Sequence, residues 1–433
     1  MKKEIDSVKG IIAIVIFAIS ITAVLVFLIT SFDIDPLVIE EMPKKILVEP
    51  SEENMSVVVL ANNEFAFDLY RSLNKSEGEN IFYSPYSIFS ALAITYEGSR
   101  EETAEEIVSV LHLPTEAVLR SGFQALYNQI NNGEKEYELN TANALWAQKD
   151  YPFLEEYINT VRQRYGGEIT NLDFIKETES SRKTINEYIE KNTNNKIKNL
   201  IPKGTLSPLT RMVITNAIYF KGKWKLEFDK QDTKELDFYV TPDNPVKIEM
   251  MFIEPKETKF NYLDTEEVQL IELPYQGEEV SMLILLPKEN IESIESDLNF
   301  EKIKEYKEKM KETEVDALYL PKFEFDTKYF MKEVLISMGM NSAFFYGMAD
   351  FSKMDGTKEL VIDDVIHQAY VSVDEEGTEA AGATAVIIGL TSMAPDNEKI
   401  FMANRPFIFI IQDNKTENIL FIGRVSDPTK KTN

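Results

Sequence analysis

Apolar positions along this chain recur at two periods, and the switches between them mark out its elements. Ahead of both, residues 11–29 run nineteen positions without a charge, roughly 28 Å as a helix and close to the thickness of a bilayer's hydrocarbon core. Lys2, Lys3 and Lys9 precede that span and the next basic residue is Lys44, so the positive-inside rule puts the amino terminus in the cytoplasm and the remainder outside. The span is longer than the apolar region of a cleavable signal, and no Ala-x-Ala pattern follows it. Residues 1–30 therefore read as a transmembrane anchor, the alternative being a signal peptide removed to release a secreted product. Residues 31–55 read as an extracytoplasmic linker, with Pro36, Pro43 and Pro50, scattered acidic residues and no sustained period.

From 56 to 433 the pattern is that of one large globular domain. Helical spacing comes first, with Phe65, Leu69 and Leu73 on one face of residues 62–73. In residues 80–99 Ser84 is an N-cap, Pro85 takes the first helical position and Gly98 is a terminator. Ser99 and Glu102 then form a capping-box pattern ahead of Ile107 and Leu111. Residues 139–148 and 212–224 read as strands. The second is a β-branched run buried on both faces and broken at Gly222, with Asn216 its main polar interruption. Residues 185–202 read as an amphipathic helix with an Asn-rich end. Residues 268–287 predict two strands about Gln276-Gly277, and 404–425 two more about Asp413-Asn414-Lys415. Many strands among many helices predict an α+β domain with large sheets.

The stretch 374–395, DEEGTEAAGATAVIIGLTSMAP, suits neither a helix nor a solvated loop. Gly377, Gly382 and Gly389 each cost a helix about 1 kcal/mol against Ala, and the second half is apolar. Read at period two it sorts: Thr378, Ala380, Gly382, Thr384, Val386, Ile388 and Leu390 form one uncharged face. The opposite face opens with Glu379, Ala381 and Ala383. Such a segment can be a loop in one state and a central strand in another; the plain alternative is an ordinary small-residue loop.

Composition narrows the chemistry. A formal net charge of −27 argues against nucleic-acid binding, which needs basic surface to displace counterions from phosphates. The absence of cysteine removes disulfides, thiolate metal sites and cysteine nucleophiles together. His112 and His367 are the only histidines, and there is no Gly-x-Ser-x-Gly elbow, His-Glu-x-x-His site or phosphate loop. No cofactor or metal is expected, and the chain does not read as an enzyme, although 73 acidic residues leave a carboxylate hydrolase open on composition alone.

The ordered set NIFYSPYSI, NAIYFKGKW, ELPYQG, LPKF, ADFS, HQAYVSVDEEGTEAAGATA and NRPFIF resembles the serpin family over roughly residues 55–428, here as a membrane-anchored prokaryotic-type member. The resemblance implies the serpin fold: a large central β-sheet with further sheets, eight to nine helices and an exposed reactive-centre loop. It also implies suicide inhibition of a serine protease. The protease cleaves the loop and is trapped as an acyl-enzyme when the hinge enters the central sheet as a new strand. The matching hinge is Glu375, Glu376, Gly377, Thr378, Glu379, Ala380, Ala381, Gly382, Ala383 and Thr384. Counting along it places the reactive bond between Thr391 and Ser392, with Leu390–Thr391 and Met393–Ala394 also open. No Arg or Lys lies between Gly377 and Glu398, so elastase-, subtilisin- or chymotrypsin-like targets fit better than trypsin-like ones. Ser84, Ser87, Asn216 and His367 match the shutter beneath the sheet. Trp224, Lys322 and Glu375 match the breach where insertion starts, Lys322 and Glu375 as a salt bridge worth at most about 1 kcal/mol if exposed. The implied partners are the protease, in covalent complex, and the membrane through residues 11–29. A monomer is implied, with loop-sheet polymers open to it. Some members lack such a hinge and do not inhibit, which leaves a non-inhibitory binding or chaperone module as the alternative.

Overall fold

A hydroxyl that caps a helix also sets where the described chain begins to fold. The structure, a computed structural model, describes residues 49–74, 78–378 and 398–431. Ser51 accepts the Asn54 amide, and Glu52 and Glu53 sit in the first turn where the helix dipole favours acids, so α1 spans Glu52–Leu73. It starts ten residues before the apolar stripe and inside the segment read as linker, because its first turn is polar and the apolar run at 57–61 that follows is continuous rather than spaced at helical period. Strand β1 (Ile81–Tyr83), α2 (Pro85–Glu97), α3 (Glu101–Leu111) and α4 (Glu116–Asn131) follow. Ser84 caps α2 and Pro85 opens it. The capping box at Ser99 does not form: α3 opens after Arg100, and the Ser99 hydroxyl donates to the Tyr96 carbonyl at 2.7 Å.

Next come β2 (Tyr137–Thr141), β3 (Ala144–Gln148), α5 (Glu155–Thr160), a π-helical turn at Val161–Tyr165, β4 (Glu168–Leu172), α6 (Thr178–Asn192) and β5 (Met212–Lys223). The strand read over 139–148 is thus split at Ala142 and Asn143. The break expected at Gly222 is absent, and β5 runs through it. The chain continues as β6 (Lys234–Thr241), β7 (Asn244–Ile253), β8 (Lys259–Asp264), β9 (Val268–Pro274), β10 (Val280–Pro287), α7 (Glu292–Glu295), α8 (Phe300–Lys309), β11 (Lys311–Glu314), β12 (Ala317–Pro321), β13 (Phe323–Phe330), α9 (Lys332–Met338) and α10 (Ser352–Asp355). Strands β14 (Val365–Val373), β15 (Gly377–Thr378), β16 (Ile400–Met402), β17 (Phe407–Asp413) and β18 (Ile419–Val425) complete it.

Three sheets result, with ten α-helices among the described residues. One runs β1-β18-β17-β10-β9-β8-β11 and another β16-β12-β7-β6. The central sheet runs β13-β14-β15-β5-β3-β4, with β2 also on β5. Every residue of β10, β17 and β18 is buried, as their long apolar runs favour. Helix α2 has no polar face because it packs on both β18 and β5, between two sheets. That position brings its capped end beneath the central sheet.

Candidate functional site

The site is the seam between β5 and β14. These strands pair in parallel from Val365 opposite Ile214 to Ala369 opposite Ile218. Pairing resumes through β15, with Thr378 opposite both Val373 and Gly222 and Gly377 opposite Lys223. Among the described residues nothing pairs across the seam at 370–372 and 219–221. Gly377 and Thr378 therefore stand as the first two residues of a strand between the two central ones.

Beneath the paired part lies a polar cluster. His367 sits opposite Asn216 in the register. The Ser84 amide donates to His367 Nε2 at 3.1 Å, which leaves the ring proton on Nδ1, donated across the seam to Asn216 Oδ1. Burial drives the His367 pKa from 6.5 down to about 3, so the ring is neutral. Asn216 Nδ2 donates to Ser87 Oγ at 2.7 Å and to Asn143 Oδ1 at 2.8 Å. Ser87 Oγ donates to Asn143 Oδ1 at 2.7 Å, and the Ser87 amide donates to Ser84 Oγ at 3.1 Å. The structure thus brings Ser84, Ser87, Asn216 and His367 into one network and adds Asn143. That residue is legible only as one polar interruption, beside Asn140 and Thr141, of the mostly apolar run 139–148.

At the open end of the seam, residues 224–228 clasp the turn before β15 by its carbonyls. The Trp224 amide donates to Glu376 O at 2.9 Å, the Phe228 amide to Glu375 O at 3.0 Å, and Trp224 Nε1 to Asp374 O at 3.0 Å. The Trp224 ring stacks on Tyr275 at 4.6 Å, and the Tyr275 hydroxyl lies 2.6 Å from Thr378 Oγ1. Thr378 is buried, so its side chain lies on the inward face of the period-two reading. Gly377 has no room for a side chain: a Cβ there would stand 2.0 Å from the Gly222 carbonyl oxygen.

The acidic residues ahead of Gly377 have distinct places. Burial raises the Asp374 carboxyl, while Lys230 at 2.6 Å lowers Glu376. Glu375 is only 3% exposed, so the exposed pair allowed for above is corrected: Lys322 meets a buried carboxylate, at 3.3 Å. Thr233 Oγ1 donates to the same oxygen, Glu375 Oε1, at 2.8 Å. A surface value does not apply to such a pair: removing Lys322 leaves the carboxylate enclosed without its cation, at a cost of about 3–5 kcal/mol, whereas Lys322 is partly exposed and also meets Glu249 at 3.5 Å. Thr233 is a further residue of this end that no sequence motif singled out, while Tyr275 lies in the ELPYQG motif and Phe228 follows NAIYFKGKW, neither with a role assigned from sequence. Glu379, Ala380, Ala381, Gly382, Ala383 and Thr384 of the hinge lie outside the described residues. So do Thr391 and Ser392 of the reactive bond, with Leu390, Met393 and Ala394.

A three-sheet α+β domain with a split central seam, a buried polar cluster across it and a strand begun in its open end defines a serpin-type molecule. The chain belongs to the serpin family. Residues 60–428 match the family described as Serpin (serine protease inhibitor). A serpin-like protein of Methanosarcina acetivorans is 43% identical, over 86% of this chain and 88% of its own. The leukocyte elastase inhibitor of Equus caballus is 39% identical, over 86% of this chain and 100% of its own. Human thyroxine-binding globulin, solved in complex with thyroxine, superposes with a TM-score of 0.77 at 31% identity, covering 87% of this chain and 100% of that one.

Proposed function

We propose that this protein inhibits serine proteases as a suicide substrate, from the outer face of a membrane to which residues 11–29 anchor it. Cleavage between Thr391 and Ser392, or at a neighbouring bond, frees the segment after Gly377–Thr378 to extend β15 down the seam. The bound protease is carried along as its acyl-enzyme. The observation that carries this reading is β15 itself: two hinge residues already pair with β5 and β14, and the next positions on the Thr378 face are Ala380, Gly382 and Thr384. Each added residue gains sheet hydrogen bonds and every second one buries a small or apolar side chain, so insertion runs downhill. Parting the seam costs the His367–Asn216 bond, which the new strand's pairing offsets. The small and apolar residues about the bond point to elastase-, subtilisin- or chymotrypsin-like targets, and the likeness to the horse elastase inhibitor supports that class.

Likeness to a hormone-binding globulin favours a second reading, a non-inhibitory serpin that binds a ligand. Incubation with pancreatic elastase, subtilisin and chymotrypsin separates the two. The inhibitory reading expects a band of serpin plus protease that survives boiling in detergent. A loop that is merely cut, with no such band from any of the three, favours the second.

A further inference from the structure

The clasp over the hinge has another face. Its residues Trp224, Lys225, Leu226 and Phe228 line a cavity of about 260 Å³ that also touches β7, β8, β9 and β12. Its floor is apolar: Leu226, Phe228, Ile253, Phe260, Leu273 and Leu318. Its charged lining is Lys225 and Lys259 alone, with no acidic side chain, in a chain of 73 acidic and 46 basic residues. Lys225 is committed to Glu278 at 2.8 Å. Lys259 is exposed, and although Glu314 is its cross-strand neighbour, it makes no ion pair among the described residues. An apolar floor with one uncommitted cation at its edge suits a ligand that is apolar for most of its length and carries one negative charge. A doubly charged headgroup would find a single partner and the repulsion of a strongly acidic chain.

We propose that this cavity binds a small amphipathic carboxylate, with an aromatic ring or short alkyl chain on the floor and the carboxylate on Lys259. Because Trp224 and Phe228 both line the cavity and donate to the hinge carbonyls, an occupant steadies the clasped arrangement. That coupling rests on the inhibitory reading above; the binding does not.

The chain has two tryptophans, so 5-fluorotryptophan labelling of the full-length protein gives two fluorine resonances. Trp224 reports the cavity, and Trp146, in a separate buried cluster, is the internal control. Titration with 4-phenylbutyrate is expected to shift the Trp224 resonance saturably and leave that of Trp146 in place. 4-Phenylbutylamine, with the same apolar body, is expected to bind at least tenfold more weakly, and Lys259→Glu to weaken the acid at least tenfold. No saturable shift, equal affinity for acid and amine, or indifference to Lys259→Glu overturns the site. For the coupling, the acid's affinity is expected to differ at least threefold between intact and loop-nicked protein. Equal affinities in a nicked sample whose unfolding temperature has risen overturn the coupling. A nicked sample whose unfolding has not changed overturns the inhibitory reading instead, and the binding result stands.

Discussion

His367 and Asn216 hold the seam closed through a neutral ring, so the closed state carries a pH signature. With a pKa near 3 in the folded state against 6.5 unfolded, His367 binds fewer protons folded than unfolded between those values. Its contribution to stability is complete above about 6.5 and is lost as pH falls, by about 1.4 kcal/mol per unit. His112 has the opposite sign: Asp68, accepting from its ring, raises its pKa, so its contribution is present below the ordinary value and is lost as pH rises. The stability difference between the native chain and His367→Gln, from denaturant unfolding at pH 4.5 to 7, is expected to change by about that slope; a flat difference contradicts the neutral buried ring. Gly377→Ala tests the other end of the seam. Its methyl has nowhere to go beside the Gly222 carbonyl, and overpacking of that kind costs about 1–3 kcal/mol. The hinge should leave the seam, and amide exchange at Trp224 and Phe228 should speed by about tenfold or more. Of these residues, Ser84, Ser87, Asn216 and His367 could be named from sequence as positions in a resemblance. Asn143 could not be, since an asparagine interrupting an apolar run does not say what it faces. The burial of Glu375 was equally illegible, because acidic neighbours in sequence look solvated until the fold encloses them.

At the scale of elements, the hinge works only if its inward face stays free of charge. Thr378→Arg would have to desolvate a guanidinium where Thr378 now meets the Tyr275 hydroxyl, at a cost of several kcal/mol. Loop cleavage is expected to proceed in this variant while the detergent-stable complex is lost, measured on gels against elastase or subtilisin; an undiminished complex contradicts insertion. The strands were legible where apolar runs are long, as in β5, β10 and the β17–β18 hairpin. The helix boundaries were less so: α1 and α6 both start in polar turns that carry caps or acids but no period. That Gly377 and Thr378 are already paired had no sequence signal, because it depends on a gap between two strands that only the assembled sheet defines.

At the scale of the molecule, the proposed anchor and the proposed strand insertion can be tested separately. Removing residues 1–30 is expected to shift the protein from the membrane fraction to the soluble one while inhibition is kept; an aggregated or inactive product contradicts the anchor as a passive tether. Among the described residues no helix is long and apolar enough to cross a bilayer, so the claim rests on residues 11–29, which lie outside them. The most direct test of the whole is thermal unfolding before and after a single nick in the loop. Extending β15 by about ten sheet hydrogen bonds, near 1 kcal/mol each, at roughly 1.3 °C per kcal/mol for a domain of this size, raises the midpoint by on the order of 10 °C. A nicked protein that unfolds at the temperature of the intact one contradicts strand insertion.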